Sequence, residues 1–97
     1  KMDYKNIEIL IDGKRFGLVP LDVPVPIIPI DDGRAQLSVR TERTLRSLGI
    51  THFEQLTTST EAKRLREPNF GRKSLNEVRE ELWRLCGLKI GQFVREP

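Results

Sequence analysis

Pro68-Asn69-Phe70-Gly71-Arg72-Lys73-Ser74-Leu75 is a tight turn that runs straight into an amphipathic segment, and its reading decides the fold. Downstream of it Leu75, Val78, Leu82 and Leu85 recur at spacings of three and four, which predicts a helix from about Gly71 to Cys86 with one apolar stripe. Gly87 supplies the residue that ends such a helix most readily. The first N–H groups of a helix lack internal partners and sit at the positive end of its macrodipole, so this helix start can hold an anion. Gly71 allows close backbone approach, Lys73 adds charge and Ser74 adds a hydroxyl donor. That is the logic of a helix-hairpin-helix nucleic-acid motif; a plain glycine turn with capping polar residues accounts for the same letters.

Working upstream, Pro68 closes a short helix containing Ala62 and Leu65, which Thr58-x-x-Glu61 is placed to cap. Thr51-x-x-Glu54 is a second capping box, opening a short helix with Phe53 and Leu56. Ser38 caps a helix that runs to Leu48 with Val39, Leu45 and Leu48 on its apolar side, and Gly49 stops it. Arg40, Arg43 and Arg46 share another side of that helix. Guanidinium groups suit phosphates and the narrow minor groove of A·T-rich DNA. Pairing with Glu42, or simple solvation, is the competing account of the same arginines. The expected fold is therefore mainly α: a compact bundle of four to five short helices with a helix-hairpin-helix-like motif.

Before Leu37 the texture changes. Ile7, Ile9 and Ile11, the Asp12-Gly13 turn and the Arg15–Val19 stretch predict a β-hairpin. Pro20, Pro24, Pro26 and Pro29 then favour an extended arm or linker. Two regions are expected, 1–36 as hairpin and proline-rich arm and 37–97 as the helical domain. The first holds 5 basic and 6 acidic residues and the second 12 and 8, so the basic surface is C-terminal.

With 97 residues, the protein has room for one small domain and an arm, and a large ligand cavity is not expected. Cys86 is the one cysteine and His52 the one histidine, which excludes an internal disulfide and leaves no zinc cluster. Asp31-Asp32 lacks a third group to complete an acid/base or metal set, so no enzyme, cofactor or metal is expected. Cys86 reads as a small core residue, His52 as exposed, and Trp83 as partly buried packing or a partner anchor. The sequence has no apolar run of membrane-spanning length and no secretory signal pattern, which makes the cytoplasm the expected compartment. Lys1 ahead of Met2 reads as a scar or internal cut rather than a natural start.

Leu37-Ser38-Val39-Arg40-Thr41 with Leu45, followed by Pro68-Asn69-Phe70-Gly71-Arg72-Lys73-Ser74-Leu75-x-Glu77-Val78, resembles the C-terminal domain of the bacterial RNA polymerase α subunit. The likeness runs without gaps from Leu37 to about Leu85, and Gly87-Leu88-Lys89-Ile90-Gly91 is similar to that domain's tail. The resemblance implies a helical bundle that grips the minor groove of A·T-rich promoter DNA and touches activators and the sigma factor. Carried over position by position, Arg40 is the minor-groove arginine, and Asn69, Gly71, Lys73 and Ser74 are phosphate and sugar contacts. Glu77 is a carboxylate in the same surface. Asp31 and Asp32 correspond to an acidic patch facing sigma, set about two residues further from the first helix than in the family. Arg43 stands where the family usually has Asn, and Thr44 where it often has Cys; the hairpin has no counterpart. Two functions follow: a transcription-related DNA-binding module beside RNA polymerase, or a module of the same fold that docks polymerase, sigma or activator without touching DNA.

Overall fold

The computed structural model describes residues 8–18 and 24–94. Strand β1 (Glu8–Ile11) turns through Asp12-Gly13 into β2 (Lys14–Leu18), pairing Ile11 with Lys14 and Glu8 with Gly17. Both turn residues have positive φ, 51° and 77°, the conformation a two-residue antiparallel hairpin needs and one that Asp-Gly adopts readily. The expected hairpin is present over these residues; Ile7, Val19 and Pro20 lie outside the described residues.

Part of the proline-rich arm is a third strand, β3 (Pro24–Pro26), which makes the sheet β1-β2-β3, antiparallel throughout. Prolines survive here because β3 is an edge strand: alternate residues send their N–H groups to the same side, and Ile27 donates to Arg15 (3.2 Å) on the paired side. The arm then joins the helical part directly. Ile30 N–H donates to the Thr51 carbonyl (3.0 Å) and Phe53 N–H to that of Ile28 (2.9 Å), flanking a bridge between Pro29 and His52.

Helix α1 (Val39–Ser47) is capped by Ser38, whose hydroxyl accepts from the Thr41 N–H. A 3-10 segment, Phe53–Thr58, follows, then α2 (Glu61–Leu65) and α3 (Arg72–Cys86), with Gly87 in the left-handed conformation at the end of α3. The two inner caps differ from expectation by one and two residues. His52, not Thr51, precedes the 3-10 segment, because Thr51 and His52 continue the extended pairing with the arm; the Gln55 side chain accepts from both their N–H groups. Thr60, not Thr58, caps α2, since Thr58 is spent as the last residue of the 3-10 segment.

Leu45, Phe53, Leu56, Leu75, Val78 and Leu82 form the centre of the core, and Val25 and Ile30 of the arm are as fully buried as they are. Leu88 and Ile90 close it from the C-terminal side, where Gly91 N–H donates to Leu56 (3.1 Å) and Phe93 N–H to Thr57 (2.9 Å). The expected inward face of α1 is corrected at one position. Val39 is 68% exposed, and Thr41 and Thr44 take the buried places beside Leu45. The threonines can be buried because their hydroxyls are bonded, Thr44 to the Arg40 carbonyl (2.9 Å) and Thr41 to α3. Trp83 is 60% exposed rather than packed on the stripe. Among the described residues no helix is long and apolar enough to cross a membrane.

Candidate nucleic-acid interface

The N-terminal ends of α1 and α3 come together around an open groove of about 590 Å³. Arg40, Asn69, Gly71, Lys73, Ser74 and Glu77 all line it, so residues far apart in sequence meet there. Glu67 and Arg72 line it as well; the sequence reading singles out neither, although Arg72 stands within the 68–75 stretch. Arg43 does not line the groove; it is exposed on α1. Asp31 and Asp32 lie away from it, where Asp31 pairs with Arg46 (3.1 Å) and Asp32 with Arg34 (3.0 Å). Arg46 also reaches Glu42 (3.5 Å), so of the three α1 arginines it is the one held by carboxylates.

Capping separates the two helix starts. At α1 the Ser38 side chain takes a first-turn N–H, and the Glu77 carboxylate accepts from the Ser38 N–H (2.7 Å). At α3 the N-cap is Gly71, and the first turn receives no side-chain cap. That helix start therefore faces the groove with its amide dipoles unsatisfied by side groups, flanked by the exposed cations Arg72 and Lys73. The turn before it is fixed by Asn69 at φ 61°, a conformation that asparagine tolerates better than most residues. Phe70, buried at 3% exposure, anchors the turn in the core between exposed Asn69 and Gly71. A Cβ at Gly71 would meet nothing within 4 Å, so packing inside the domain does not require glycine there.

Beneath the groove lies a polar joint. Glu77 accepts from the hydroxyls of Thr41 (2.9 Å) and Ser38 (3.2 Å) in addition to the Ser38 N–H. Ser74 is buried, with its Oγ 3.0 Å from Thr41 Oγ1. Burial alone would raise the Glu77 pKa; the bonds from Ser38 and Thr41, with a smaller contribution from Lys73, outweigh it and hold it below the ordinary value. Glu77 is thus an anion that fixes α1 against α3 while Lys73 and Arg40 remain exposed. A second joint of this kind has no signature in the sequence. Buried Glu81 accepts from the Gln36 N–H (2.6 Å) and pairs with Arg84, which also donates to the Arg34 carbonyl.

Cys86 carries none of this. Burial, with a lesser push from Glu54, raises its thiol to about 11, the opposite of nucleophile activation.

These features define a small domain with a one-sided cationic groove built where two helices begin. The family model for the C-terminal domain of the bacterial RNA polymerase alpha subunit matches residues 29–84, more than half of the protein and all of the groove. The protein belongs to that family, whose members are non-catalytic and transcription-related. Comparison with solved structures returns no match.

Proposed function

We propose that this domain binds DNA through the α1–α3 groove, as a transcription-related module acting within or beside RNA polymerase. Arg40 enters the minor groove of A·T-rich DNA, while Asn69, Gly71 and Lys73 hold the adjoining phosphates at the start of α3. The turn between α2 and α3 serves as the hairpin of a helix-hairpin-helix-like unit. Ser74 contributes its backbone N–H to the anion site and its hydroxyl to the joint with Thr41. Glu77 acts from below, keeping the two helix starts at fixed separation. Arg43, outside the groove, adds long-range attraction to the flanking phosphates.

The observation that carries this reading is the contrast between the two helix starts lining one groove: α1 is capped by Ser38 and Glu77, and α3 has no side-chain cap and is flanked by cations. Few cationic contacts are available, so affinity is modest and gains from tethering to a larger assembly. The test is titration of the domain and of Arg40→Ala against A·T-rich and G·C-rich duplexes of equal length at two salt concentrations. Preference for the A·T-rich duplex that disappears in Arg40→Ala is the expected result; equal binding of both proteins to both duplexes overturns the assignment.

A further inference from the structure

A second concavity, of about 520 Å³, lies on another part of the molecule, between the hairpin turn, the segment after β3 and the C-terminal end of α3. Its lining combines Phe16, Ile27 and Leu85, all half-buried, with Lys14, Arg15 and Arg34, all exposed. None of the residues lining it is a carboxylate. Beyond its edge Arg84, itself paired with Glu81, donates to the Arg34 carbonyl and holds that segment against the end of α3. Arg34 also keeps its pair with Asp32, which fixes the guanidinium at the rim.

The apolar part of this lining distinguishes it from the α1–α3 groove. Sugar-phosphate backbone offers cations nothing apolar to lay against Phe16, Ile27 and Leu85, whereas a peptide that alternates carboxylates with large apolar side chains satisfies both. We infer that the cleft between the hairpin and the end of α3 docks an acidic amphipathic peptide segment of a partner protein, with Lys14 and Arg34 pairing its carboxylates over the Phe16–Leu85 floor. The surface is built largely by the hairpin and arm, and it is independent of the DNA reading.

The experiment uses the 97-residue protein and short synthetic peptides: one of Asp, Glu, Leu and Phe, one with Asn and Gln in place of the acids, and one with Gly and Ser in place of Leu and Phe. Binding is followed by fluorescence anisotropy and located by backbone amide NMR shifts. The acidic amphipathic peptide is expected to bind and to shift amides of residues 13–17, 27–28 and 85, with the two control peptides much weaker. Lys14→Glu, at an exposed position, is expected to weaken it by about tenfold, since reversing a rim charge replaces an attraction by a repulsion. Arg40→Ala is expected to leave it unchanged, which separates this site from the DNA groove. No binding, undiminished binding to Lys14→Glu, equal binding of the amide-substituted peptide, or displacement of the peptide from these amides by duplex DNA overturns the inference.

Discussion

The hydroxyl of Thr41 lies 2.9 Å from a carboxylate oxygen of Glu77, and this contact crosses from α1 to α3 directly beneath the groove. It turns a buried threonine into a structural residue: the side group that a hydrophobic pattern would leave outside is inside because its hydroxyl donates a hydrogen bond to Glu77. The same carboxylate takes the Ser38 N–H, so one anion both caps α1 and fixes its angle to α3.

Acid should loosen the domain at its two carboxylate joints, the one at Glu77 and the one at Glu81. Glu77 and Glu81 both have pKa values held below the ordinary carboxylate value, Glu77 by the Ser38 and Thr41 bonds that outweigh its burial and Glu81 mainly by Arg84. A depressed folded-state pKa contributes stability above the unfolded value, and that stability is lost as pH falls through the folded value. Melting temperature should be flat near neutrality and fall through the acidic carboxylate range. Glu77→Gln and Glu81→Gln should each flatten that fall while lowering stability at neutral pH by about 1–3 kcal/mol. Thermal melts across pH check both statements.

Val25 tests whether the arm belongs to the folded unit. It is fully buried although it sits between two prolines before the helical region. Val25→Ala should cost about 1–3 kcal/mol through lost burial and the cavity left behind. Removing residues 1–36 should cost far more, since Val25, Ile28 and Ile30 leave the core together. Chemical denaturation of the variant and the truncated protein reads the difference.

The helical half was legible because its punctuation is local: Ser38 before α1 and Gly71 and Gly87 around α3 act through their own backbone. The convergence of Arg40 with Asn69–Ser74 came through the family pattern, since nothing within either segment states that they meet. What could not be read depends mostly on partners distant in sequence, although Thr44 bonds one helical turn back within α1. Thr41 and Thr44 look polar and Val39 apolar, yet the bonds to Glu77 and to the Arg40 carbonyl reverse their places. The prolines pointed to an extended arm or linker, and only an edge position, which the segment itself does not state, makes residues 24–26 a strand. Glu81 resembles any surface glutamate in the sequence, and only the fold brings Gln36 and Arg84 around it.

Gly71→Ala separates folding from binding. Its φ of −95° suits any residue, and a Cβ there has open space around it, so stability should change only by about the 0.5–1 kcal/mol that a poorer N-cap costs. DNA affinity should fall more if the proposed site holds, because the methyl group would then stand where a phosphate approaches the α3 amides. Parallel melts and duplex titrations decide; unchanged affinity would mean that the anion does not sit against this helix start.

Lys73 and Arg43 distinguish contact from mere attraction. Lys73 lines the groove beside the α3 amides, and Arg43 is exposed on α1 outside it. A cation that neutralises one phosphate contributes about 0.9 to the slope of log affinity against log salt. Lys73→Ala should reduce that slope by about 1 and weaken A·T-rich and G·C-rich duplexes alike, as expected of a phosphate contact that reads no base. Arg43→Ala should lower affinity less and change the slope by a smaller amount, since a charge beyond the contact zone is already screened over a Debye length of about 10 Å at 0.1 M salt. Salt titrations of the two variants against both duplexes give the slopes directly. A larger slope change for Arg43→Ala than for Lys73→Ala would move the phosphate contact from the start of α3 to the outer face of α1.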